Sequence, residues 1–226
     1  MAIDSFDATR MFATVREPLA VVHRSRIARD APWAHVSGWA QLSGTPSRVS
    51  FVMVSRNAQE VLRPLLPEIS DSLTEIGFPW EIAIVDNASE DGSSELLMRW
   101  SEVPGFSWLR LERDFGETHA ACVGLLEARG DAVIVANAGA PTSIEHLPEM
   151  VERWRDGSTV VSVEWSEESG SHVVAWSLDV TGSRAPASWL STFTGAQGDL
   201  VLLDREVVEG LLRSNGASER APSRPA

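Results

Sequence analysis

Lysine and tyrosine are missing from this 226-residue chain, and cysteine occurs once. The single thiol, Cys122, excludes an intrachain disulfide and a cysteine-based zinc site, and its setting in "HAACVGLLEA" predicts a small buried residue. A reducing, cytoplasmic compartment fits that usage. No run of eighteen or more apolar residues occurs, and no basic start leads into an apolar stretch of signal length, so neither a membrane span nor secretion is expected. A peripheral position at a membrane surface is compatible with the same composition. Every one of the nineteen basic residues is Arg, and thirty-two acids bring the formal net charge to −13, which argues against a bare polyanion-binding role and against nucleic acid as a partner. Abundant Ala, Arg and Gly beside the missing Lys and Tyr fit the codon bias of a GC-rich, bacterial genome.

A hydrophobic content of 43% is enough for one sizeable α/β core. Residues 1–48 differ in character from the rest of the chain, with a helix expected around "SFDATRMFATV" and a short hairpin closed at Ser37-Gly38. They are read as an N-terminal extension ending at "SGTPS", where Gly, Pro and Ser cluster. Residues 49–212 form the main domain, and 213–226 have the composition of a flexible tail.

Within the main domain a unit repeats. "RVSFVMVS" is a short β-branched run, and the next segment changes to helical spacing, with Val61, Leu65, Leu66, Ile69 and Leu73 on one stripe. The same alternation returns as "EIAIVD" then "GSSELLMRWSE", "FSWLRLE" then "ETHAACVGLLEAR", and "DAVIVAN" then "IEHLPEMVERWRDG". Nearly all-apolar strands alternating with helices predict an α/β domain whose mostly parallel sheet is flanked by helices on both faces. After Gly157, "STVVSVEW" and "SHVVAWSLDV" flank the turn-like "SEESGS" and predict a C-terminal antiparallel hairpin. "GDLVLLDREVVEGLL" then reads as a strand leading into a helix capped by Asp204.

In such a sheet a ligand lies at the carboxyl ends of the strands, near the switch in strand order. That rule selects "SRNA", "DNASEDGS", "RDFGE" and "NAGAPTS". A strand-end carboxylate such as Asp86, followed by a Ser/Asp/Gly turn into a helix, can accept hydrogen bonds from a base or ribose. Ordinary capping by Ser89 or Asp91 accounts for the same turn.

Taken in order, "FVMVSRNAQEVL", "EIAIVDNASEDGSSELL", "LRLERDFGETHAACVGLLEARGDAVIVANAG", "IEHLPEMVERWRDGSTVV" and "GDLVLLDREVV" resemble the family 2 glycosyltransferases, in particular the polyprenyl-phosphate, dolichol-phosphate mannose synthase-like branch. The resemblance covers roughly residues 49 to 210. It implies a glycosyltransferase-A (Rossmann-like) fold and transfer of a sugar from a nucleotide diphosphate sugar to a lipid-phosphate or glycan acceptor. It also implies a nucleotide site containing Ser55, Arg56, Asn57, Asp86, Asn87, Asp114 and Asn137, and an acceptor side containing Asp199, Asp204 and Arg205. Because the branch usually continues beyond the segment matching "DREVVEGLL", a working glycosyltransferase partner is a further expectation.

The departures fall at the chemical end. The family's Asp-x-Asp, which holds Mg or Mn against the sugar diphosphate, corresponds to Asn137-Ala138-Gly139, so no metal ligand and no catalytic residue is assigned. Thr142 also fails to replace a nearby acid. Arg56 stands for a Tyr and Ala58 for a Glu, while Arg184 is the only base between the hairpin and "GDL". Losing one preorganised electrostatic stabiliser costs on the order of a hundred- to a thousand-fold in rate, and losing the metal costs more. The expectation is therefore a family 2-like glycosyltransferase, a sugar transferase by ancestry whose catalysis is weak or absent, with bidentate grip of the diphosphate by Arg56 as one route to activity. The alternative is a non-catalytic pseudo-glycosyltransferase that binds a nucleotide or a partner.

Other readings fall away. "DFG" has no Gly-rich loop or lysine beside it, and "SRNAQE" lacks the glycines of a dinucleotide site. His119 and Cys122 are expected to pack near the core rather than form a nucleophile pair. Trp80, Trp100, Trp108 and Trp154 are expected in the core, whereas Trp165, Trp176 and Trp189 suit either packing or an apolar contact surface.

Overall fold

The computed structural model describes residues 21–24, 47–138, 143–166, 170–177 and 200–216. The expected N-terminal helix, the hairpin at Ser37-Gly38, the last ten residues of the tail, and Gly139, Thr142, Arg184, Trp189 and Asp199 lie outside them, as do the side chains of Trp165 and Trp176.

The strands are β1 (Val21–Arg24), β2 (Val49–Ser55), β3 (Trp80–Asp86), β4 (Phe106–Leu111), β5 (Ala132–Asn137), β6 (Val160–Ser166), β7 (Gly170–Trp176) and β8 (Leu200–Asp204). The helices are α1 (Gln59–Ile76), α2 (Ser93–Trp100), α3 (Glu117–Glu127), α4 (Leu147–Arg155) and α5 (Arg205–Gly216), with a 3-10 turn at Ile144–His146. One sheet runs β1-β4-β3-β2-β5-β8-β6-β7. Its centre, β4-β3-β2-β5, is parallel, and both flanks are antiparallel. The α/β class and the hairpin β6–β7 are as expected, but the sheet as a whole is mixed. β1 is not among the expected strands, because its four residues lie in the segment read as an extension.

The period-two geometry of a strand sorts the apolar residues into two cores. Val49, Phe51, Met53, Ile82, Ile84, Phe106 and Trp108 pack beneath α1, α2 and α4. Val52, Val54, Ala83, Val85, Leu109 and Leu111 pack beneath α3 and α5. On α1, Leu62, Leu65, Leu66, Ile69 and Leu73 are buried. The expected stripe is one residue out at its start: Val61 is 46% exposed, and Leu62 takes the inward position. Trp108 is buried, while Trp80, Trp100 and Trp154 pack against the same core from its edge.

Two glycines set the spacing. A Cβ on Gly124 of α3 would lie 2.3 Å from Val52 Cγ1, so its absence lets α3 sit close on the sheet. A Cβ on Gly130, ahead of β5, would lie 2.5 Å from the backbone N of Ser50. Gly130 N donates to Ser50 Oγ at 2.7 Å, and that hydroxyl donates to the buried Glu81 carboxylate at 2.6 Å. This seam ties together the amino ends of β2, β3 and β5, the edge opposite the one expected to bind a ligand.

Candidate functional site

β2 is flanked by β3 on one side and β5 on the other, so the strand order reverses there, and the crevice lies along the shared carboxyl ends of β4, β3, β2 and β5. Three successive loops converge at this edge. Asn57, in a left-handed conformation with φ 48°, donates its N–H to Ser89 Oγ at 2.9 Å and accepts at Oδ1 from Glu90 N at 2.7 Å. Ala58 N donates to Ser93 Oγ at 3.2 Å and Gln59 N to Asp91 Oδ2 at 3.1 Å, so the loop after β3 caps the helix that follows β2. Partial burial pushes the Asp91 carboxyl up, but bonds from Ser93 and from the Gln59 N–H outweigh it and hold the group below its ordinary range. The capping role expected of Ser89 and Asp91 is thus real, and it reaches across loops: Asp91 Oδ1 accepts from Ser93 N at 2.9 Å at the start of its own helix, while Oδ2 serves the helix after β2.

Asp86 is completely buried. Its Oδ1 accepts from Ser89 N at 2.8 Å, and its Oδ2 accepts from Ser94 Oγ at 2.7 Å and from Arg110 Nη1 at 3.3 Å. Arg110 also donates to Ser94 Oγ and, through Nη2 at 2.7 Å, to Ser89 O. Asp86 is therefore a hub holding the β3 loop, and both its oxygens are engaged from within the chain. Arg110 is absent from the residues expected at the site, although a cation within the apolar "FSWLRLE" is the available signal. It lies on the same face as Phe106 and Trp108, where a charge demands a buried partner.

Arg56 and Asp114 lie at the surface of the crevice, above the buried Asn87. Asn87 Nδ2 donates to Asp114 Oδ1 at 2.7 Å, and Asn87 Oδ1 accepts from Phe115 N at 3.0 Å. Gly116 N donates to the same Asp114 oxygen at 2.8 Å, leaving Oδ2 to form an ion pair with Arg56 Nη1. The Arg56 guanidinium, expected to meet a diphosphate, is engaged by this carboxylate. Ser55 lies below, fully buried, and its Oγ has no hydrogen-bond partner among the described residues.

At the end of β5, Asn137 stands in register with Val54, and Ala138 N donates to Val54 O at 2.9 Å. Asn137 contributes a neutral amide and Ala138 a buried methyl. With both Asp86 oxygens engaged and Asp114 paired to Arg56, these residues do not fit a divalent cation, which takes several hard anionic oxygens.

Asp204 and Arg205 do not join this edge. β8 runs antiparallel to β5, with Leu200 opposite Ala136 and Asp204 opposite Ala132, so Asp204 lies about 13 Å down the sheet from Leu200. There Asp204 accepts from Trp154 Nε1 and Glu206 N, each at 2.8 Å, the latter as the expected helix cap. Arg205 donates to the carbonyls of Gly130 and Ala128 and clamps the turn before β5. The sequence places both residues correctly at a strand end but is silent on strand direction.

His119 and Cys122 are buried on α3, as expected. Burial lowers the His119 pKa and pushes the Cys122 thiol up to about 12. His119 stacks on Phe115 at 5.0 Å between ring centres, and Arg113 sits 4.8 Å from the Phe115 centre.

Comparison with known proteins bears on the family and the fold. The family model described as "Glycosyl transferase family 2" matches residues 50–212. The undecaprenyl-phosphate 4-deoxy-4-formamido-L-arabinose transferase of Serratia proteamaculans (strain 568) is 29% identical over 136 residues, covering 56% of this chain and 42% of that protein. Its namesake in Pseudomonas aeruginosa (strain LESB58) is 33% identical over 130 residues, covering 57% of this chain and 38% of that protein. The chain thus spans less than half the length of these curated relatives. Residues 1–349 of S. aureus TarS superpose with a TM-score of 0.50 at 17% identity, over 72% of this chain and 48% of that one, a likeness of fold alone. The fold is that of the glycosyltransferase-A enzymes, and the chain belongs to glycosyltransferase family 2.

Proposed function

We propose that residues 49–212 bind the nucleoside diphosphate part of a nucleotide sugar in the crevice at the carboxyl ends of β2, β3 and β4. Transfer of the sugar onto a polyprenyl phosphate is slow or absent in this chain alone. The observation that carries the reading is the convergence of Asn57, Asn87 and Asp114, from three successive strand-end loops, on the edge where the strand order reverses. Family membership supports the donor class, and the names of the relatives supply the acceptor class.

The second half of the proposal rests on the end of β5. A departing nucleoside diphosphate needs its charge neutralised, and Asn137 and Ala138 offer no anion to hold a metal there. The rate should lie at least about a hundred-fold below that of a chain with an intact acidic pair. Such a protein acts as a nucleotide-binding module, alone or beside a working glycosyltransferase. A lipid-phosphate acceptor would place it at a membrane surface; among the described residues no helix is long and apolar enough to cross one.

The test is calorimetric titration of the full chain with UDP and GDP, with and without manganese, followed by a transfer assay on a short polyprenyl phosphate. Nucleotide binding that ignores manganese, with little or no turnover, is the expected outcome. Manganese-dependent binding and rapid turnover would refute the catalytic half, and no binding of either nucleotide would refute the first.

A further inference from the structure

The two Arg–Asp pairs at the strand ends differ in kind. Arg110 and Asp86 meet against a fully buried carboxylate and act as structure. Arg56 and Asp114 meet in water-facing positions, their side chains 40% and 47% exposed. Their loops follow β2 and β4, which are separated by β3, so the pair reaches over the end of β3 and across about 10 Å of the crevice. Asp114 is held in place by Gly116 N and Asn87 Nδ2 on its other oxygen, so it keeps its position when Arg56 leaves.

We propose that this pair is an anion-sensitive bar across the crevice, with Asp114 standing in for the diphosphate of the ligand, so that the site selects phosphate-bearing nucleotides over neutral nucleosides. The inference rests on the nucleotide reading above and adds the pair that sets the selectivity. A guanidinium presents a planar fork of donors that suits a phosphate as well as a carboxylate. An exposed pair is weak enough for an entering dianion to replace. The fixed Asp114 charge then opposes that dianion, so the carboxylate both guards Arg56 and limits affinity.

The experiment uses the full chain and the variants Asp114→Asn and Arg56→Gln, titrated with UDP, GDP, uridine and pyrophosphate. Asparagine keeps the acceptor oxygen for Gly116 and Asn87 and puts an uncharged NH2 where Oδ2 faces Arg56. Asp114→Asn should bind the diphosphates about two- to five-fold more tightly, the span set by an exposed ion pair. Arg56→Gln should weaken diphosphate binding about ten-fold or more, the worth of a charge-assisted bond. Uridine should respond to neither substitution. If the parent binds UDP or GDP and Asp114→Asn binds them equally or less well, the bar is refuted while the nucleotide site stands. Pyrophosphate binding that Asp114→Asn tightens, without binding of either nucleotide, would keep the anion role of Arg56 and refute the nucleotide reading. No binding of any ligand to any of the three proteins refutes both.

Discussion

Arg110→Ala probes the Asp86 hub most directly. The substitution removes the ion pair to Asp86 at 3.3 Å and the donations to Ser94 Oγ and Ser89 O. It leaves a carboxylate that is 0% exposed with only Ser89 N and Ser94 Oγ for partners. Stripping one member from a buried pair costs about 3–5 kcal/mol. Arg110 itself is 31% exposed, so water can follow into the space it vacates, and the expected loss falls to about 2–3 kcal/mol. Urea unfolding followed by the intrinsic tryptophan signal would read the loss as a lower midpoint at unchanged slope. The cycle is closed with Asp86→Asn and the double variant. Removing the charge that Arg110 answers should make the double variant about 1–2 kcal/mol more stable than the two single losses added together. A cost for Arg110→Ala within about 0.5 kcal/mol of zero, or strict additivity, would show that the pair does not hold the β3 loop.

Three further outcomes are expected. With its thiol pushed up to about 12 inside α3, Cys122 should resist thiol reagents at neutral pH until the chain opens, so labelling at the rate of an exposed thiol would contradict its burial. Burial lowers the His119 pKa below its ordinary 6.5, so the folded state binds fewer protons than the unfolded chain; its contribution is intact above 6.5 and is lost as pH falls below that value. His119→Gln should therefore flatten the decline in Tm between about pH 7.5 and 5.5 relative to the parent, and parallel declines would sink the assignment. Gly124→Ala drives a methyl into Val52 and should cost about 1–3 kcal/mol, partly recovered by Val52→Ala; equal costs with and without that second change would refute the close contact.

Much of the fold is legible in local chemistry, because alternating faces and turn residues are short-range signals. β2 through β5 and α1 through α4 follow the apolar runs, and the hairpin follows its Gly/Ser turn. The slip from Val61 to Leu62 shows the limit: helical spacing identifies a stripe, but the first turn sits where its capping partners pull it. The site is legible as a set of loops and not as a set of bonds. Arg56 and Asp114 stand apart in the sequence, and only the order β4-β3-β2 brings them together. Asp86 is legible at a strand end and Arg110 is not, since pairing across 24 positions leaves no periodic trace. Asp204 and Arg205 mislead because the sequence names the end of a strand without saying which way it runs.

The reversal of strand order at β2 has a kinetic corollary. β2 and β3 are joined at Ser50–Glu81 across 31 positions, whereas β2 and β5 are joined at Ser50–Gly130 across 80. Closing the longer loop costs only about 0.8 kcal/mol more by chain statistics, but pairings distant in sequence are the slow ones to form. The β2–α1–β3–α2–β4 half should assemble first, and the crevice gains its second wall when β5 docks. A ligand gripping both walls meets its site only after that late step. It would lengthen the lifetime of the native state rather than hasten its formation.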